Sequence, residues 1–530
     1  MEVRSQTQSS SRLFTILLAA WTALLLWYLA VLFIAGLRVN DQSMYLYFAQ
    51  HVLSGVHISG PQLVEVDPPM VIWFSIVPVL LARLLHLSPY LMLKVVVFLM
   101  VVASVSLSGR ILRVAGIAGS RTLLFPKIAS ILTAEIFMTG YVLGEHEHLL
   151  VILILPYVLS AAADAGTRIA YSELCAIGLI AGIGVCFKPQ QVLLLIALEL
   201  FLAAWTRSLR RLLAPDFLCA MLAVFTYIAA VSIAAPLYFT ATIPLLRDTY
   251  WGMGTYSTGD LIKQQPVFDV LFVLAVLAFI FIVNRKKSRL PVIPGAFLAC
   301  SLGACIAYCA QHYPVEYRAY PQRAFLLLAV LWIAMELTPV DLAASWRPNS
   351  AFAVSALIFT LLLLPLSKPA AGVLGYVPYN WRVPDTVFAQ YSPQTPVLLI
   401  SITPDAPPAV LRDHLIWASR FAHFWMLPAI IRNERFEAGG PKPKRILPPA
   451  LVSKLALLTR TETAEDFRRW KPSVVIVQQC QSSKSDCLGL AHLDFDPLAW
   501  FLKSPAFAVE WSHYRLQTTY GNYDVYTRTN

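Results

Sequence analysis

The chain has 530 residues, of which 58% are hydrophobic and only 13% charged, and its mean hydropathy is +0.64. A soluble globular chain carries about twice that share of charge and a disordered one far fewer apolar residues, so both classes are excluded and a polytopic membrane protein is expected. The formal net charge of +11 would suit a nucleic-acid binder, but the basic residues fall in short clusters between apolar runs, as they do in cytoplasmic membrane loops, and no nucleic-acid partner is expected.

The first apolar run, residues 13–37, is long enough to cross about 30 Å of hydrocarbon and has no small-residue cleavage site after it, so a retained helix is expected. Arg4 and Arg12 precede it and place the N-terminus in the cytoplasm. Further apolar runs follow at 70–87, 91–109, 122–140, 148–163, 173–187, 190–206, 214–236, 267–284, 292–311, 323–337 and 351–366. If every run crossed, the clusters Arg110–Arg113–Arg121–Lys127, Arg207–Arg210–Arg211 and Arg285–Lys286–Lys287–Arg289 would all lie outside. They become cytoplasmic if 70–87, which opens on Asp67-Pro68-Pro69 and contains Pro78, Arg83 and His86, lies on or dips into the outer face instead. About eleven crossings plus one interfacial helix result, in a bacterial cytoplasmic (inner) membrane, with the C-terminal part periplasmic.

After residue 366 the hydropathy collapses. Two domains are therefore expected: 1–366 in the membrane and 367–530 as a small water-soluble α/β domain outside it. Within the second, 397–401 and 474–477 read as buried strands, 464–470 as an amphipathic helix, and 514–528 as a hairpin turning near Gly521-Asn522. Cys480 and Cys487 are the two cysteines in polar sequence, either a disulfide of an oxidising compartment or two free thiols.

With this topology the outer loops gather ionisable and aromatic residues at the membrane edge, where charge is costly and marks function. The first loop carries Asp41 and Tyr45, then Glu65-Val66-Asp67-Pro68-Pro69. The second carries Glu145-His146-Glu147-His148, the third Lys188-Pro189, and later ones Arg247-Asp248-Thr249-Tyr250-Trp251 and His312-Tyr313 through Arg318. Bland readings stand beside each. Asp41 could cap a helix, the Glu-His run could end a solvated loop, His146 and His148 could ligate a metal, Lys188 could snorkel, and the Tyr and Trp residues could form an aromatic belt. Jointly, a carboxylate base, several cations and a membrane edge are what transfer of a sugar from a polyprenyl phosphate requires: a base for the acceptor hydroxyl, positive charge for the departing phosphate, and a groove for the lipid.

An acidic residue just after the first span, followed by Pro68-Pro69-Met70 and Trp73, resembles the first outer loop of the GT-C glycosyltransferases, the superfamily of protein O-mannosyltransferases and lipid A aminoarabinose transferases. Gly144-Glu-His-Glu-His148-Leu149 resembles the second acidic motif of a bacterial, arabinofuranosyltransferase-like branch, and Lys188-Pro189 and His312-Tyr313 resemble its later motifs. The resemblance spans about residues 13–366 and implies a GT-C-like helical bundle. It implies Asp41 as catalytic base with Glu147 beside it, Lys188, Arg318 and His312 on the donor phosphate, and Glu145, His146, His148, Tyr45 and Tyr313 around the substrates. The expected activity is inverting transfer of a monosaccharide, a pentose by analogy, from a polyprenyl monophosphate to an acceptor glycan, lipid or protein, by a monomer in contact with membrane lipid and without a resident metal or other cofactor. The second motif departs from the Asp-containing form of mannosyl and oligosaccharyl transferases, leaving open the role of Glu145 and the need for a divalent metal. The alternatives are an oligosaccharyl or O-antigen-type transferase with a pyrophosphate donor, and a lipid-linked sugar transporter, for which paired halves are the usual mark.

Overall fold

The structure is a computed structural model that describes residues 23, 26–33, 40–117, 121–163, 168–254, 258–264, 266–274, 292–311, 315–337, 383–403, 405–480, 487, 489–490 and 493–529. The expected spans at 13–37, 267–284 and 351–366 fall wholly or partly outside these residues.

Helix α1, Asn40–Val52, follows the first apolar run, and a loop carrying Glu65 and Asp67 leads into α2, Pro69–Leu85. Pro at the first helical position fixes φ where no donor is needed, and the left-handed His86 ends α2. At 17 residues it lies at the short limit of helices that cross a membrane. One side packs on α1 and on α3, Pro89–Val114, while Val77, Leu80, Leu84 and Leu85 stay exposed.

Among the described residues, four helical segments have the length and composition to cross a membrane: α3, Pro189–Thr206 (whose regular part, Val192–Thr206, is α7), α8 over Pro215–Ala234, and α10 over Val292–Ala310. Their outward residues are apolar, Leu99, Phe225 and Ile233 among them, a surface that suits lipid and not water. The shorter helices α4 (Arg121–Leu132), α5 (His146–Ala162), α6 (Tyr171–Phe187) and α9 (Ile243–Thr249) also belong to this part, with α11 (Tyr320–Leu337) packed on α10. Nearly every side chain of α5 is buried, as expected of a helix that is apolar all round and stands inside a bundle. Gly178 and Gly182, one helical turn apart on α6, lie directly against the backbone of Asp216 and Ala220 on α8, where a side chain would have no room. This is the small-residue seam by which membrane helices approach closely.

The C-terminal part forms a five-stranded sheet in the order β2-β1-β3-β5-β4, comprising β1 Pro396–Ile400, β2 Ile416–Trp417, β3 Val474–Gln478, β4 Tyr514–Tyr520 and β5 Tyr523–Arg528. β2, β1 and β3 are parallel, and β5 and β4 continue antiparallel. Val397–Ile400 and Val474–Val477 are continuous apolar runs because parallel strands are covered on both faces. Edge strand β4 carries Arg515, Gln517, Thr518 and Thr519, the polar character that discourages further pairing. The β4–β5 turn is at Gly521, in the left-handed region. The helix expected at 464–470 is the last turns of a longer one, Pro449–Trp470. Cys480 and Cys487 are joined in a disulfide.

The sheet domain rests on the loops at one end of the bundle. Trp417 N donates to the Tyr47 hydroxyl of α1 at 2.7 Å, Val64 N donates to Arg420 O at 2.8 Å, and Gly252 lies flat against Ala429.

Candidate active site

Several loops and helix ends converge beneath the sheet domain. Asp41 sits in the first turn of α1, and Tyr45, one turn later on the same face, donates its hydroxyl to Asp67 Oδ2 at 2.6 Å. The Glu65 carboxylate folds back to accept from Val66 N at 2.8 Å and Asp67 N at 3.1 Å, which fixes the loop just before Pro68-Pro69. Gly144, with φ +81, makes the turn into α5. The turn buries Glu145, His146 and Glu147 almost completely. Lys188 lies at the C-terminal end of α6 and is 3% exposed.

Lys188 is the hub. Its Nζ donates to His146 Nε2 at 2.6 Å and stands 3.2 Å from Glu147 Oε1 and 3.7 Å from Asp67 Oδ1. A His146 that accepts at Nε2 carries its proton on Nδ1, which faces Glu145 Oε2 at 3.5 Å. Neither oxygen of Glu145 has a hydrogen-bond partner. Arg318, also buried, donates to the Tyr250 hydroxyl at 2.6 Å and lies 5.8 Å from the ring centres of Tyr250 and Tyr317. The Tyr317 ring in turn meets His146 edge-on. A small cavity opens beside the cluster between Tyr45 and His146 on one side and Val71, Phe74, Leu93 and Leu149 on the other. Its polar wall thus passes directly into an apolar one.

The two aspartates are driven apart electrostatically. Burial, then the neighbouring Asp67 charge, push Asp41 up to about 7, partly offset by Lys188 and Arg318. Burial would also raise Asp67, but Lys188, His146 and the Tyr45 hydrogen bond hold it at about 2. One carboxyl is poised to exchange a proton near neutral pH while the other stays charged.

Asp41, Tyr45, Glu145, His146, Glu147, Lys188 and Arg318 therefore share one electrostatic neighbourhood. His312 and Tyr313 lie outside the described residues. His148 is placed differently from the expectation that it binds substrate. It is fully buried, its Nδ1 accepts from Gly144 N at 2.9 Å, and its Nε2 donates to Glu135 O at 2.7 Å, so both ring nitrogens hold backbone. Residues two apart on a helix point about 200° from each other, which sends His146 to the pocket and His148 to the core. Asp67, noted in the first loop but given no role by the sequence reading, is a further functional candidate. Arg247, exposed and paired with Asp248, stays at the surface.

Glu145, His146 and Glu147 each offer a ligand atom within 4.8 Å of the others and are the described residues best placed to hold a divalent cation. The Lys188 ammonium already faces two of the three, so a metal there would have to displace it.

No family model matches the chain, and no curated protein does. Among solved structures, the crystal structure of ArnT from Cupriavidus metallidurans bound to undecaprenyl phosphate is similar to it along 96% of this chain and 97% of its own, with a TM-score of 0.47 and 13% sequence identity.

Proposed function

We propose that this chain is a membrane-embedded glycosyltransferase that moves a monosaccharide from a polyprenyl monophosphate to an acceptor hydroxyl at the outer face of the membrane. The observation that carries the reading is the clustering of a carboxyl poised near neutrality with two buried cations, beside a small cavity whose far wall is apolar. Asp41 takes the proton of the attacking hydroxyl as that oxygen closes on the anomeric carbon. Lys188 and Arg318 receive the negative charge that builds on the departing lipid phosphate; the low dielectric of the site strengthens both interactions. Attack from the side opposite the phosphate inverts the anomeric centre. Asp67, Glu147 and His146 hold Lys188 in place and keep it charged: burial would lower its pKa, but the two carboxylates raise it. A pentose is the favoured sugar, by the resemblance of the 144–149 motif.

The test is incubation of purified protein with polyprenyl-phosphoryl pentose and polyprenyl-phosphoryl hexose in the presence of membrane extract, following release of polyprenyl phosphate. Turnover of at least one donor is expected, with the pentose favoured. Absence of turnover with both overturns the reading.

A further inference from the structure

The sheet domain does more than cover the pocket. Between β2 and the helix Leu427–Glu437, the chain runs from Ala418 to Met426 beneath the carboxyl ends of β1 and β3, the end of a parallel sheet at which ligands are usually met. It is pinned at several points. Arg420 donates to Asp466 at 2.8 Å and to Glu465 at 2.8 Å, its carbonyl accepts from Val64 N at 2.8 Å, and Phe424 N donates to Ser401 O at 2.9 Å. Phe421, Phe424 and Trp425 are each 1% exposed. The segment therefore spans the site. Val64 lies three residues before Asp67, while the Trp425 ring meets Tyr250, the hydrogen-bond partner of Arg318.

His423 sits between these anchors. Its Nδ1 is buried without a hydrogen-bond partner, and the charge that reaches its ring is that of Asp67. Burial nevertheless lowers its pKa to about 4, so the imidazole is neutral and offers one nitrogen lone pair and one N–H. An anion would find no charge here; a hydroxyl finds both a donor and an acceptor. An orphaned buried ring nitrogen costs free energy unless a ligand takes it up.

We propose that His423 is the acceptor-side binding residue of the site, contributed by the outer domain, and that it hydrogen-bonds a hydroxyl of an acceptor glycoside entering from the water side. This rests on the glycosyltransferase reading above. His423 comes from the sheet-domain side of the cluster, two residues before Trp425, whose ring meets Tyr250, the hydrogen-bond partner of Arg318.

The experiment uses the full-length protein, polyprenyl-phosphoryl pentose and hexose as donors, and a panel of methyl pentosides and hexosides as acceptors. The wild type should glycosylate at least one acceptor. His423→Leu should raise the KM for that acceptor tenfold or more, with the affinity for polyprenyl phosphate changed less than twofold. His423→Asn, whose amide reaches the Nδ1 position, should recover most of the loss and serves as the folded control if the Leu variant does not assemble. Donor consumption without any glycoside acceptor in the panel, an unchanged acceptor KM in both variants, or an equal loss of polyprenyl phosphate affinity overturns the assignment of His423. Absence of donor consumption in the wild type instead overturns the glycosyltransferase reading itself.

Discussion

Replacing Asp67 by Asn tests the electrostatic design of the pocket, because the change keeps the shape and removes one charge. Asp67 Oδ1 stands 3.7 Å from Lys188 Nζ, where two unit charges attract by about 4 kcal/mol at an effective dielectric constant of about 20. Lys188 keeps Glu147 at 3.2 Å and His146 at 2.6 Å, so it stays charged but loses one of its two carboxylate partners. A loss of about 10- to 100-fold in kcat/KM is expected, equivalent to roughly 1.4 to 2.7 kcal/mol. The second effect is on Asp41. Its pKa of about 7 owes more to the Asp67 charge than to any other neighbour, and with that repulsion gone Asp41 releases its proton more easily. The acid limb of the rate profile should move to lower pH by about one pH unit, or ~1.4 kcal/mol. The assay is donor turnover between pH 4.5 and pH 9. An acid limb that stays in place, or moves up, refutes the argument that these two carboxyls share a field.

The same raised pKa costs stability. Asp41 ionises near pH 7 in the folded chain but near 3.8 when unfolded, so the folded state is penalised as pH rises between these values, and Asp41→Asn should melt at the wild-type temperature near pH 4 and higher than wild type at pH 8, by about 2 to 4 kcal/mol; equal melting at pH 8 contradicts this. Lys188→Ala leaves the buried Glu147 and the partly buried Asp67 without their cation and should cost about 3 to 5 kcal/mol, together with polyprenyl phosphate affinity measured by equilibrium binding. Gly182→Val forces α6 away from α8 and should destabilise by at least ~1 to 3 kcal/mol in a denaturation assay, while Ile233→Val on the exposed face of α8 should be near neutral.

The parts legible in the sequence are those governed by local pattern. The apolar runs at 397–400 and 474–477 are unbroken because both faces of a parallel strand are covered, and Gly521-Asn522 marks its hairpin by backbone freedom alone. Strand β2, two residues long, has no period to detect. In the site, Lys188 stands out because a lysine between two apolar runs has no polar surroundings to explain it. Asp67 does not, because an Asp before Pro-Pro reads as an ordinary helix start, and its partner Lys188 is remote in sequence. His148 misleads by composition: His-x-His suggests a ligand pair, yet on a helix the two rings face opposite ways, a consequence of 3.6 residues per turn that the sequence already contains. His423, in a segment with no motif, becomes visible only when the sheet domain is docked on the loops.

The central claim is that Asp41 acts as the proton acceptor in a pocket whose cations take the lipid phosphate. Its most direct measurement is the rate of polyprenyl phosphate release by purified wild type and Asp41→Asn under identical conditions with a saturating donor. A fall of about 10²- to 10⁴-fold with unchanged donor affinity is expected; release at the wild-type rate would contradict it.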